Sequence, residues 1–154
     1  MWRGSDVLPS VDDAGFVRAP IELVYRRVTD IREWPSWWPG TQVRPLRAVG
    51  PDERWGLEVR AGRGLRLRLG LTPVRWRHEA GFELLLDGDL SGRGEFWLEP
   101  AGSGTVVHHL LVAESPLLWP GRVHRGYRRA VRRGLWGLKD VLHIEARTSV
   151  GLVP

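Results

Sequence analysis

The stretch APIELVYRRVTDIREWPSWWPG, residues 19–40, decides the fold that we expect for this chain. Pro20 suits the first position of a helix, where its missing N–H costs nothing. Apolar side chains then recur at the spacing of one buried helical face, at Ile21, Val24, Tyr25 and Val28. The stretch therefore predicts a short helix with one face against a core.

A second short helix is predicted directly after the first. Asp30 is placed as its N-cap, and Glu33, three residues on, could complete a capping box. The helix would begin at Ile31 and end or kink at Pro35. Pro39-Gly40 then predicts a turn into the next element.

The region from Thr41 to Glu114 has the period of two that is typical of strands. Its clearest part is GLRLRLGL, residues 64–71, where leucines alternate with Arg66 and Arg68, so the two arginines should face solvent. We predict a first strand that ends near Arg18, then strands near residues 41–49, 53–61, 64–78, 82–87, 92–99 and 104–114. The short glycine-rich turns between them predict an antiparallel meander.

A long amphipathic helix is predicted at about residues 117–146. Its apolar side holds Val123, Tyr127, Ala130, Val131, Gly134, Leu135, Leu138, Val141 and Leu142. Its opposite side is basic and holds Arg125, Arg128, Arg129, Arg132 and Lys139. A sheet with one buried face needs a cover, and this helix is the one predicted element of sufficient size. We therefore expect an α+β fold in which a curved antiparallel sheet of about seven strands wraps around the helix.

Composition limits what the protein can do. The chain has 154 residues, which suits one domain over residues 1–154, with its core at about residues 10–146. It has no cysteine, which excludes disulfides, thiolate catalysis and a zinc–thiolate site. Residues 1–10 hold no apolar run suited to a signal peptide, and no stretch approaches the roughly 20 apolar residues of a membrane span. We therefore expect a cytoplasmic protein.

Four stretches resemble the polyketide cyclase/dehydrase branch of the START/Bet v 1-like (SRPBCC) superfamily. Residues 19–40 resemble its opening, with Ala-Pro, a helix, Thr-Asp and Trp-Pro in order. GDLSGRGEFWLEP (88–100), GTVVHHLLV (104–112) and GLWGL (134–138) resemble its Gly-x-Gly strand, its last strand and its final helix. The resemblance implies a helix-grip fold with a hydrophobic cavity between sheet and helix. It also implies ligands of polyketide, lipid or sterol type, or polyketide cyclase/dehydratase activity.

The three clustered tryptophans are predicted to lie across one end of that cavity. Trp37 or Trp38 would face the ligand as a gate, and Trp34 would serve mainly the structure. The alternative is that all three plug the gap between the short helices and the sheet. Further predicted ligand contacts are Trp55, Leu57, Val59, Leu67, Leu69, Phe96, Leu98, Val107, Leu111, Val131, Gly134 and Leu138. Gly134 and Gly137 are interpreted as positions that leave space for a ligand.

The alternation of inward and outward residues beyond Pro73 depends on whether this proline marks a bulge. A bulge would reverse the alternation there, turning Trp76 and His78 toward the cavity. Arg75 and Arg77 would then lie outside.

Two side chains are candidates for proton transfer. The resemblance places His109 inward on the last strand, where it could act as a general base, with a hydrogen-bonded core histidine as the alternative. The resemblance also implies an Arg or Tyr that polarises a carbonyl of the ligand. Tyr127 on the inward side of the long helix is the best match for that role, and Arg60 and Arg93 are weaker candidates. The sequence holds no metal-binding or cofactor-binding motif, so we expect neither.

The basic side of the long helix supports a different class of function. Seven basic residues and no acid lie between Arg122 and Lys139, in a chain whose net charge is +5. Trp136 falls within this side, where a cation–π pair with Arg132 or Arg133 is expected. We expect a small hydrophobic ligand as the main partner. Contact with a membrane surface through this basic side stays open, and nucleic acid is less favoured. Exposed Trp97 and Trp136 also leave open a contact with a second copy of the chain.

Overall fold

The computed structural model describes residues 10–47 and 53–151 and confirms the predicted α+β helix-grip architecture. The strands are β1 (Ser10–Val17), β2 (Thr41–Arg47), β3 (Arg54–Arg60), β4 (Arg66–Arg77), β5 (Gly81–Gly88), β6 (Ser91–Ala101) and β7 (Gly104–Glu114). The helices are α1 (Ile21–Thr29), α2 (Trp34–Trp37) and α3 (Pro120–Gly151), with one 3-10 turn at Ile31–Glu33. The predicted strands agree within about two residues where the structure describes them. Residues 48 and 49, the predicted end of β2, lie outside the described residues.

The seven strands form one antiparallel sheet in the order β1-β7-β6-β5-β4-β3-β2. Strands β2 to β7 pair with their neighbours in sequence as a meander, and β1 pairs with β7 at one edge of the sheet. α3 lies against β1, β7 and β3 and covers the concave side. The predicted apolar side of α3 faces the sheet, and of that side only Val141 is half-buried rather than buried. No helix in the described ranges is long and apolar enough to cross a membrane.

The two short elements after α1 differ from the prediction. Asp30 makes no side-chain cap, so the capping box with Glu33 does not form. Pro35 lies in the first turn of α2 instead of ending a helix. Because residues 31–33 form a 3-10 turn, only one turn of α-helix remains for α2.

Strand β4 contains a bulge near the end that pairs with β5. The register shifts between Val74 and Arg77, beyond the predicted position at Pro73, and Arg75 adopts a positive φ of 50°. The alternation reverses there as predicted for Trp76, which stacks on Phe82. His78 differs from the prediction, because it lies beyond the end of β4 and its side chain is 84% exposed. Arg75 and Arg77 face outward to pair with Glu83 and Glu95.

Candidate functional site

A row of flat rings crosses the concave side of the sheet from its rim to its centre. Trp76 stacks on Phe82, with ring centroids 4.8 Å apart and 6° between the planes. Phe82 stacks on Phe96 at 6.0 Å, and Phe96 contacts the imidazole of His109 at 4.2 Å. We call Trp76, Phe82, Phe96 and His109 the aromatic row. It begins at Trp76, which is 47% exposed, and ends at His109, which is 1% exposed. It therefore joins the surface to a buried polar group.

Helix α3 brings Tyr127 against the inner end of the aromatic row. Tyr127 Oη lies 2.8 Å from His109 Nε2, and His109 Nδ1 lies 3.1 Å from the carbonyl oxygen of Glu95. A carbonyl oxygen only accepts, so Nδ1–H donates to Glu95 and Nε2 accepts from the Tyr127 hydroxyl. Both side chains are buried. The pair is therefore satisfied within the protein.

Burial sets the protonation of this pair. It lowers the pKa of His109 to about 4, although the hydrogen bond to the Glu95 carbonyl and the charge of Asp13 act in the opposite direction. It also raises the pKa of the Tyr127 hydroxyl above its ordinary value. At neutral pH the imidazole is neutral and the phenol protonated, which is the state that the hydrogen bonds require.

The geometry suits anchoring a polar group better than removing a proton. Tyr127 Oη retains a lone pair that can accept a hydrogen bond from a ligand hydroxyl. Its proton is committed to His109, so turning it toward a ligand carbonyl would leave Nε2 without a donor. An imidazole with a pKa of about 4 is also a weak base at neutral pH.

All three clustered tryptophans are built into the core. Trp34, Trp37 and Trp38 are each no more than 2% exposed. Their indole N–H groups donate to the main-chain oxygens of Val28, Arg27 and Ala130, respectively. Trp37 and Trp38 stack on each other at 5.7 Å. In this structure the plug interpretation describes them better than the gate interpretation.

The interpretation of Gly134 and Gly137 as space for a ligand is wrong. A Cβ at Gly134 would lie 2.9 Å from the indole of Trp38, and one at Gly137 would lie 1.9 Å from the main-chain oxygen of Trp37. The missing side chains let α3 approach residues 37 and 38 closely. The tryptophans occupy the room that the sequence interpretation assigned to a ligand.

Replacing Trp38 by phenylalanine tests this packing. We expect the free energy of unfolding to fall by about 2 kcal/mol, because the change removes a buried hydrogen bond and leaves a gap beside Gly134. Trp136→Phe is the matched control, since Trp136 is 64% exposed and its replacement should cost less than about 0.5 kcal/mol. Urea unfolding measures both, and equal stability of the two variants would contradict the plug interpretation.

Solved structures share this arrangement of sheet and helix. A protein of Thermus thermophilus superposes with a TM-score of 0.77 at 21% identity, covering 90% of this chain and 99% of its own. A START superfamily protein of Mycobacterium smegmatis gives 0.73 at 19% identity, covering 87% and 97%. The Aha1 dimer of Colwellia psychrerythraea gives 0.60 at 16% identity, covering 88% and 96%. No protein-family model and no curated protein matches the sequence.

The chain has the START-like fold. The resemblance that the sequence motifs suggest is therefore confirmed as a resemblance of fold.

The structure buries almost every residue that we predicted to contact a ligand. Those buried on its concave side, besides the three clustered tryptophans, are Trp55, Leu57, Val59, Leu67, Leu69, Phe96, Leu98, Val107, Leu111, Val131, Gly134 and Leu138. Trp76 differs, since it lies half-exposed at the rim. His78, two residues on, makes an edge-to-face ring contact with Tyr25. His109 and Tyr127 meet as a pair, which separate inspection of β7 and α3 did not predict.

Several sequence expectations about side-chain position are wrong. Arg60 and Arg93 are exposed, so neither lies on the concave side of the sheet. The cation over the ring of Trp136 is Lys139, whose Nζ lies 4.5 Å from the ring centroid, and not Arg132 or Arg133. Trp97 is half-buried because it stacks flat on His108.

Sequence reasoning missed two residues of this region. Phe82 is the central ring of the aromatic row, and the alternation in GFELLLDG (81–88) could have placed it inward with Leu84 and Leu86. Asp13 lies opposite His109 in the pairing of β1 with β7 and bonds to Arg132 at 3.0 Å. No motif marks Asp13, because its position opposite His109 follows from strand register alone.

Two of the surface clefts border strands β3 and β4. One of about 520 Å³ follows β2, β3 and β4, and Leu57 and Leu69 border it. The other, of about 980 Å³, is lined by Glu58, Arg60, Gly62, Arg63, Gly64, Leu65, Arg66, Arg68, Asp89 and Arg133. Arg66 and Arg68 are exposed there, as predicted.

Proposed function

We propose that the protein binds a small, planar, hydrophobic molecule on the concave side of its sheet. The aromatic row carries this proposal, because its rings lead from an exposed tryptophan to a buried polar pair. A flat ligand could stack on Trp76, since offset stacking contributes about 0.5–1.5 kcal/mol beyond the area it buries. Phe82, Phe96 and His109 lie between Trp76 and Tyr127, so the ligand would have to displace packed rings to enter. The Tyr127 hydroxyl would then accept a hydrogen bond from a polar group at the ligand's far end.

Ring stacking favours a polycyclic ligand of polyketide or sterol type over a single acyl chain. The contacts between Trp76, Phe82 and Phe96 are face to face, with interplanar angles of 6° and 11°. Rigid ligands also lose less conformational freedom on binding than flexible chains do. The START superfamily neighbour of similar fold is consistent with ligand binding but identifies no ligand.

Native mass spectrometry on freshly purified protein, followed by organic extraction, tests the proposal. We expect a bound molecule of defined mass with a rigid ring system. The same spectrum gives the oligomeric state, and twice the mass of the chain would support a homodimer such as the Aha1 dimer. If extraction yields only flexible acyl chains, the polycyclic assignment is wrong.

A neutral probe, N-phenyl-1-naphthylamine, tests the place of binding. We expect Trp76→Ala to weaken its affinity about tenfold, the loss of one stacking contact. Leu85→Ala is the control, because Leu85 is also 50% exposed but lies outside the aromatic row. Equal affinity in both variants would remove the aromatic row from the proposal.

A polyketide cyclase or dehydratase is the second candidate, favoured by the His109–Tyr127 pair. Such an enzyme would act mainly by holding a flexible poly-β-ketone folded, with the pair assisting proton transfer. Tyr127→Phe and His109→Ala should then abolish turnover while the substrate still binds. Turnover that survives both substitutions would exclude this candidate.

A further inference from the structure

The outward surface of α3 and the residues before it expose large apolar side chains. Leu118 is 84% exposed, Trp119 65%, Trp136 64% and Ile144 66%. Leu118 and Trp119 directly precede the first residue of the helix, Pro120. Scattered exposed apolar residues are ordinary, whereas adjacent ones such as Leu118 and Trp119 indicate a contact surface.

Arginines share this surface. Arg122, Arg125, Arg129 and Arg133 are exposed and recur three or four residues apart, which places them on one side of α3. Trp136 continues the same spacing. We call these five residues the basic face. The sequence has no acidic residue between Ser115 and Lys139.

The charge of the basic face is not neutralised by ion pairs within the described residues. Arg122 donates to the main-chain oxygen of Arg63, and Arg133 donates to that of Arg60. These contacts hold the side chains near the β3–β4 turn but leave both positive charges uncompensated. Of the helix arginines, Arg132 does pair with an acid, Asp13, and it lies beside the basic face.

We propose that the basic face docks the protein on an anionic phospholipid bilayer, with Leu118 and Trp119 at the lipid–water interface. Basic residues near an anionic bilayer are attracted to its surface, and tryptophan is enriched at the membrane–water interface. Arginine also matches the geometry of phosphate oxygens. This surface is separate from the concave site of the proposed function.

The aliphatic side chains favour lipid over other partners. Nucleic acids are bound by arginines and stacked aromatic rings, but they offer no apolar phase for Leu118 or Ile144. A symmetric contact with a second copy would place two basic faces against each other, and like charges repel. An anionic bilayer satisfies both the charges and the exposed apolar groups.

Flotation with lipid vesicles tests this proposal. We expect the protein to float with phosphatidylglycerol-containing vesicles at low salt, to be released at high salt, and not to float with pure phosphatidylcholine. Arg125→Glu with Arg129→Glu should weaken partitioning by about 30-fold or more, since each basic residue near the surface contributes roughly fivefold. The control, Arg18→Glu with Arg93→Glu, has the same net charge and changes exposed positions elsewhere.

The apolar contribution needs its own variants. Leu118→Ser with Trp119→Ser should weaken partitioning at least about tenfold and leave the salt dependence in place. Leu85→Ser, at a side chain 50% exposed on the sheet, should have no effect. Equal floating on both vesicle types, an equal loss in both charge-reversed pairs, or tighter binding to a short DNA duplex than to the anionic vesicles would overturn the proposal.

Discussion

Replacing Gly137 by alanine should lower the free energy of unfolding by about 3 kcal/mol or more. In most helix interiors the same change stabilises by up to about 1 kcal/mol. Here the new Cβ would lie 1.9 Å from the main-chain oxygen of Trp37, and a main-chain atom cannot rotate away. Either α3 or the end of α2 must move, which disturbs the packing of the neighbouring tryptophans. Urea unfolding followed by circular dichroism measures the effect.

Two other glycines of α3 make this result interpretable. Gly126→Ala should be similarly destabilising, because its Cβ would lie 2.1 Å from the main-chain oxygen of Ala61. Gly121→Ala is the matched control, since it is exposed and its Cβ would meet only the end of the Arg125 side chain at 3.8 Å. We expect that variant to be as stable as the parent or slightly more so. A Gly137→Ala protein as stable as Gly121→Ala would contradict the close approach of α3 to residue 37.

Acidification should destabilise the protein through His109. The folded state holds the pKa of His109 at about 4, below its ordinary value of 6.5. As pH falls from 6.5 toward 4, the unfolded chain takes up the proton first, so this contribution to stability is lost across that window. The stabilisation by neutral His109 is complete above pH 6.5 and absent below about pH 4. The loss is about 3 kcal/mol, from about 1.4 kcal/mol for each pKa unit.

His109→Gln separates this effect from the titration of the acidic residues. Glutamine does not titrate, and its amide can donate to the Glu95 carbonyl and accept from Tyr127. We expect the loss of unfolding free energy between pH 6.5 and 4 to be smaller by about 3 kcal/mol in the variant than in the parent. Parallel stability curves for the two proteins across this window would show that His109 is not buried in its neutral form.

Periodicity predicted most of the fold, because burial on one face leaves a direct trace in the sequence. The alternation of leucines in β4 and the stripe of Val123, Tyr127 and Leu138 on α3 both faced inward as expected. The prediction that Gly134 and Gly137 leave space for a ligand failed for a physical reason. The absent side chain of a glycine indicates that something is close, but the sequence does not say whether a ligand or another part of the chain approaches.

The meeting of His109 with Tyr127 could not be predicted from either residue. They lie on different elements, and their 2.8 Å contact depends on how α3 slides along the sheet. That position is set by Gly126, Gly134 and Gly137, whose partners lie on other parts of the chain. Contacts fixed by docking of two elements leave no local pattern.

The bulge in β4 has a consequence for changes in chain length. Before it, odd-numbered residues such as Leu71 point inward, and after it the even-numbered Trp76 does so. Arg75 and Trp76 together oppose Phe82, so deleting Arg75 would restore an unbroken ladder and leave Trp76 opposite Phe82. An insertion after Arg75 that leaves the bulge in place would instead turn Trp76 outward and Arg77 toward Phe82. This strand should therefore tolerate loss of Arg75 better than an insertion between Val74 and Arg77.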